Sequence, residues 1–300
     1  MDKENKSNRS QDRETFMNLM TDFAFKRIFG SVCRKHLLIQ FLNILFEKEG
    51  LHVYDVTYHD KEVLPENEKG KVIKYDVYCT SPEDKEHFIV EMQRVYHPGF
   101  EDRAVLYAIR AASGQLRKGQ KYELNPVYSI FLVNFHMPEL SRKDFHDVRL
   151  MDIDTLEIFS NALRLIFVTL AEAKDTWEDC RTKYEKIIFL IKNMHLMDKE
   201  SNAYKSKEFS DLFDEAALDN MAAEEMVAYS ESKLKYEDDL AALDYNFKKG
   251  MMQGREEGRE EGRMEGVRES ASRMLKSGLD PEFVQRISGL PLEEILRLKE

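Results

Sequence analysis

The chain has 300 residues, enough for one sizeable core or two modest domains. Hydrophobic residues make up 42% and charged residues 34%, which excludes a disordered chain. The formal net charge of −11 argues against simple electrostatic wrapping of nucleic acid.

No apolar run reaches about 18 residues, so no membrane span is expected. The three cysteines, Cys33, Cys79 and Cys180, are isolated, which speaks against a disulfide scaffold or a zinc site. The polar start MDKENKSNRSQDRE carries no export signal. A cytoplasmic protein is therefore expected, with residues 1–15 as a disordered leader. The charge is uneven: residues 201–247 hold 4 basic and 12 acidic side chains. A local basic groove within the first 200 residues remains compatible with the overall balance.

Phe16–Glu49 reads as two helices. Phe16, Leu19, Met20 and Phe23 recur at helical spacing, and Gly30 punctuates. Leu37, Leu38, Phe41, Leu42, Leu45 and Phe46 form a second apolar stripe, closed by Gly50. Three strand-like runs follow, Leu51–His59, Val72–Thr80 and His87–Val95, rich in Val, Ile, Tyr and Phe. Pro65–Gly70 is a loop, and Ser81–Glu86 is a turn. Phe100–Lys121 reads as a helix with Val105, Ile109, Ala112 and Leu116 on one face. The unbroken apolar run of Pro126–Phe135 is the pattern of a buried strand. Strands at Val148–Ile153 and Leu163–Leu170 and a helix near Tyr184–His195 complete the series. The order α-α-β-β-β-α-β predicts an α/β domain with a mixed sheet over residues 16–200.

From Ser201 the texture changes. Residues 201–247 read as an acidic helical segment. Residues 248–269 carry Gly250, Gly254, Gly258, Gly262 and Gly266 at every fourth position, which predicts a semi-flexible charged helix or linker. A membrane-dimer reading fails, because Arg and Glu lie between the glycines. Close helix packing in a homo-oligomer is the functional alternative. Residues 270–300 read as a small helical hairpin. A helix-turn-helix reader fits that tail less well, because it has no basic recognition helix.

The stretch from Lys74 to Arg94 carries the chemistry. Pairing 72–80 with 87–95 around the turn sets Thr80 opposite His87, Tyr78 opposite Ile89 and Asp76 opposite Glu91. Opposed residues point to the same sheet face, so Asp76 and Glu91 lie side by side, and Gln93 shares their face by alternation. Val77, Cys79, Val90 and Met92 point the other way, into a core. Like charges so placed are destabilising, the more so in an apolar run such as FIVEM. A divalent cation would offset the repulsion. The alternative is a solvent-facing edge where Arg or Lys partners the two acids. His52, His59, His87, His97 and His136 show no metal-ligand spacing.

The segments TDFAFKRIFG at 21–30, LLIQFLNILF at 37–46 and YDVYCTSPEDKEHFIVEMQ at 75–93 carry a family resemblance, with Arg103, Tyr107, PVYSIFLVNF at 126–135 and the tail at 274–299. The sequence resembles the PD-(D/E)XK nuclease family transposases, also called recombination-promoting nucleases. The resemblance implies a restriction-endonuclease-like αβββαβ core with a mixed sheet, and a DNA endonuclease dependent on Mg²⁺ or Mn²⁺. Asp76 then matches the motif Asp, Glu91 the acid of (D/E)XK, and Gln93 the Lys position. The backbone carbonyl of Met92 joins the metal ligands. Tyr75 replaces the motif Pro, which touches only the turn into the strand. Gln93 replaces Lys, and a neutral amide orients a water without adding charge.

Arg103, Arg110 and Arg117 lie seven apart, and Lys121 extends their stripe, so these four are candidates to grip DNA phosphates. Asp22 is a candidate additional acid, or with Thr21 a helix N-cap. Lys26 either contacts phosphate or is merely exposed. The expected partner is DNA, with no membrane. The competing expectation is a catalytically inactive DNA-binding or protein-interaction module on the same fold.

Overall fold

The computed structural model describes residues 14–60, 62–63, 72–83, 85–116, 121, 123–138 and 140–298. The loop Pro65–Gly70, Arg117 and most of the leader lie outside the described residues. The chain divides into two compact units, Met1–Lys233 and Leu234–Glu300. The boundary falls inside a helix, not where the composition changes.

In the first unit, α1 (Asp22–Phe29) and α2 (Lys35–Leu45) precede the sheet. The first expected helix begins six residues later than its apolar spacing suggests. The cause is Thr21, whose Oγ1 accepts from the Ala24 N–H at 3.3 Å and caps α1. Phe16 instead bridges to Ala217. Of the first strand-like run only β1 (Thr57–Tyr58) is strand. β2 (Glu62–Val63) pairs with β3 (Ile73–Lys74) in a separate two-stranded ribbon. The second run breaks at Tyr75–Asp76 before β4 (Val77–Thr80).

β4 pairs antiparallel with β5 (His87–Gln93) in the expected register, Tyr78 opposite Ile89 and Thr80 opposite His87. α3 (Phe100–Ser113) then crosses to β6 (Val127–Val133), which lies parallel to β5. β7 (Phe145–Met151) and β8 (Ile158–Thr169) form a hairpin, with β8 parallel to β6. The six-stranded sheet has the order β1-β4-β5-β6-β8-β7, mixed as expected. All seven residues of β6 are buried, which explains its unbroken apolar sequence. The αβββαβ core expected of a restriction-endonuclease-like fold is present.

Helices cover both faces of the sheet. On one, Phe46 after α2 packs on Phe88 and Tyr128. On the other, α3 packs on Ile89, Val127, Phe131 and Phe167. The expected inward face of this helix needs correction. Val105 is 43% and Ile109 46% exposed, whereas Phe100, Ala104, Ala108, Ala111 and Ala112 are buried. Alanines let the helix backbone approach the sheet closely, so the small residues turn inward. The helix also stops at Ser113, not Lys121. Gly114 closes it by donating its N–H to the Arg110 carbonyl at 3.1 Å.

α4 (Lys183–Asn193) begins with a capping box, in which Thr182 and Glu185 satisfy each other's backbone N–H groups. α5 (Asn202–Lys205) and α6 (Ser210–Ala216) follow. α7 (Ala223–Lys276) is one helix of 54 residues that runs through the whole glycine repeat. Its side-chain pairs include Lys248–Asp244, Gln253–Glu257 and Arg263–Glu260, each three or four residues apart.

The second unit has its own small core of Ala271, Leu275, Val284, Leu290 and Ile295. These come from the end of α7, α8 (Pro281–Ser288) and α9 (Leu292–Arg297). Asp280 caps α8, and Gly289 at φ 72° ends it. No helix among the described residues is long and apolar enough to cross a membrane.

Candidate active site

The β4–β5 ladder ends at Val77 and Val90. Beyond it two side chains take over the role of backbone partners. The Asp76 N–H donates to Glu91 Oε1 at 2.9 Å, and the Met92 N–H donates to Asp76 Oδ2 at 3.1 Å. The two strands are thus clasped by their own carboxylates, which holds the acids together at the strand break. Glu91 is 3% exposed, and the Asp76 side chain is 20% exposed. Burial pushes the Glu91 carboxyl well above its usual range, and the neighbouring Asp76 charge adds to this. Burial also raises Asp76, against the Met92 N–H and the Lys26 charge.

Cations flank the pair from two helices. Lys26 Nζ, on α1, lies 2.6 Å from Asp22 Oδ1 and 3.4 Å from Asp76 Oδ1. Burial works against its ammonium, but the Asp22 bond and the Asp76 charge outweigh it and raise its pKa. Arg103, on α3, donates from Nη2 to Gln93 Oε1 at 2.5 Å and lies over the Phe100 ring. The Gln93 amide N–H donates to Glu91 Oε2 at 3.4 Å. Gln93 therefore links Arg103 to Glu91, with its oxygen already engaged. A connected run results, Asp22, Lys26, Asp76, Glu91, Gln93 and Arg103, with the two acids adjacent at its centre.

The other expected residues sit as follows. Asp22 is 54% exposed and bonded to Lys26, so it meets the acid pair only through that ammonium. Arg110 shares the α3 face of Arg103 two turns on, and Lys121 is exposed beyond the helix end. The predicted four-residue stripe thus shortens to two positions on α3 among the described residues. Tyr75 does more than shape a turn. It is fully buried, its hydroxyl donates to the Tyr107 carbonyl at 3.1 Å, and its ring meets Tyr107 edge-on. Tyr75 belongs to the core cluster beneath the site, so the residue in the motif's Pro position is part of the packing and not only of the turn.

The donor set suits a hard divalent cation. Among the described residues no three His, Cys, Asp or Glu side chains cluster as a ligand shell. Two carboxylates remain, the number Mg²⁺ typically takes while keeping several waters. The Asp76 charge disfavours the Glu91 anion, and Lys26 stands beside Asp76, so added positive charge at this pair would be stabilising.

A family model described as PD-(D/E)XK nuclease family transposase matches residues 19–246. No curated protein and no solved structure is significantly similar to the chain.

Proposed function

The chain belongs to the PD-(D/E)XK nuclease family transposases, and on that premise we propose that it is a metal-dependent, recombination-promoting endonuclease that hydrolyses phosphodiester bonds in DNA. The observation that carries this reading is the clasped acid pair, Asp76 and Glu91, held at the end of the β4–β5 ladder with cations on either side. The two carboxylates and the Met92 carbonyl would hold Mg²⁺ or Mn²⁺. The bound ion supplies an activated water and neutralises charge on the reacting phosphate. The chain itself orients Glu91 through Gln93 and Arg103, and fixes Asp76 through the Met92 N–H. Arg103, Arg110 and Lys121 attract the DNA backbone, whose charge is the same at every step.

Nicking of supercoiled plasmid by purified protein tests the reading, with Mg²⁺, Mn²⁺ or EDTA. Asp76→Asn and Glu91→Gln keep the shape of each side chain. Both are expected to lose about 100-fold or more in rate, with unchanged circular dichroism. Cleavage in EDTA, or cleavage by both variants at the wild-type rate, would sink the assignment. DNA bound but cut in no metal would leave a binding module on the same fold.

A further inference from the structure

The (D/E)XK pattern sets a lysine two residues after its acid, and this chain has Gln93 there. The amide brings no charge, and its oxygen is engaged by Arg103 at 2.5 Å. An ammonium nonetheless stands at the acid pair. Lys26 reaches it from a different element, α1, and lies 3.4 Å from Asp76 Oδ1. We propose that Lys26 is the catalytic lysine of this chain, supplied from α1 in place of the residue at position 93. Gln93 and Arg103 are then positioning residues, acting on Glu91.

Three observations support it. First, the ammonium has a partner on its own helix: Asp22, one helical turn back, lies 2.6 Å from it. Second, an ammonium has three N–H donors, and the contacts to Asp22 and Asp76 use two. The third is left for a water or a phosphate oxygen at the metal-binding carboxylates. Third, Lys26 is only partly buried, with 28% of its side chain exposed, so a phosphate can approach it. When water attacks, negative charge builds on the non-bridging oxygens. A cation within a few ångströms, in a partly buried site, stabilises that charge more than the ground state. A lysine that only grips backbone phosphates would instead act equally on bound substrate and transition state.

This inference rests on the nuclease reading, and its test separates the two. Wild type, Lys26→Met, Lys26→Arg and the double variant Lys26→Met with Gln93→Lys are compared in Mg²⁺ and Mn²⁺. Lys26→Met is expected to lower kcat by about 100-fold. Its DNA affinity, read by fluorescence anisotropy in non-catalytic Ca²⁺, should stay within about threefold of wild type. Lys26→Arg or the double variant should recover part of the rate, since each restores a cation near Asp76.

A second readout needs no turnover. In the DNA-free protein the Lys26 ammonium repels an ion bound at Asp76. Lys26→Met should therefore bind Mn²⁺ several-fold more tightly by calorimetry, with circular dichroism unchanged. Wild-type cleavage by Lys26→Met, or a loss of DNA affinity that matches the loss of rate, would overturn the proposal while the nuclease reading stands. Failure of wild type to cut in any metal would overturn the nuclease reading, and this proposal with it.

Discussion

At the scale of single residues, Glu91 is placed where a carboxylate is least welcome. It is almost wholly buried and next to a second acid. The unfolded chain releases this proton near the ordinary glutamate value, about 4.3. The folded chain holds it to a higher pH, because burial and Asp76 both disfavour the anion. Between those two values the folded state binds the extra proton, so stability falls as pH rises. Glu91→Gln keeps an oxygen to accept the Asp76 N–H and removes the charge. It should unfold later than wild type at pH 7–8, by about 1–2 kcal/mol in metal-free buffer. The gap should close toward pH 4. Millimolar Mg²⁺ should raise the wild-type Tm and leave the variant's unchanged. Thermal denaturation across pH, with and without metal, reads all three. A Glu91→Gln variant less stable than wild type at pH 8 would show that the carboxylate is structural.

At the scale of elements, α7 runs through five glycines, where sequence alone suggested a semi-flexible helix or linker. Each glycine weakens a helix by about 1 kcal/mol relative to alanine. Side-chain pairs such as Lys248–Asp244 return only a few tenths each. The repeat is therefore a long helix of low local stability. A Cβ added at Gly254, Gly258 or Gly262 meets nothing within 4 Å. Replacing these three by alanine should slow amide hydrogen exchange over residues 250–266, with about 1 kcal/mol of added local stability per site. Unchanged exchange would mean that the segment is not limited by glycine.

The same scale shows what could be read from the sequence. The β4–β5 register was legible, because the short turn over Ser81–Glu86 fixes which residues of the two runs face each other. The Asp22–Lys26 pair has a spacing of four that permits it, yet the sequence assigns the two residues separate roles and the pairing enters only with the structure. The inward face of α3 was not legible. Apolar patterning weights large side chains, whereas close approach to the sheet selected alanines and left Val105 and Ile109 outside. The strand break at Tyr75–Asp76 was also hidden. It depends on bonds between groups 15 and 16 residues apart. The contact of Lys26 with Asp76 crosses 50 residues and exists only once α1 has docked, so local pattern holds no trace of it.

At the scale of the whole molecule, a net charge of −11 must be reconciled with a polyanionic substrate. The acidic excess is concentrated in residues 201–247, while the cations that matter lie around one strand end and one helix face. Such a protein makes few phosphate contacts. Each neutralised phosphate contributes about −0.9 to the slope of log affinity against log salt. With Arg103, Arg110 and Lys121 as contacts, the slope should lie at about −2 to −3, shallower than for basic proteins that wrap DNA. Titration of Glu91→Gln with labelled duplex in EDTA, from 50 to 200 mM KCl, measures it without cleavage. Arg110→Ala on that background should flatten the slope by about 1 and weaken binding alike for every DNA sequence. A slope near zero would place the DNA contacts elsewhere. A slope of −8 or steeper would require a basic surface that this chain does not display among its described residues, and hence more than one copy on each DNA.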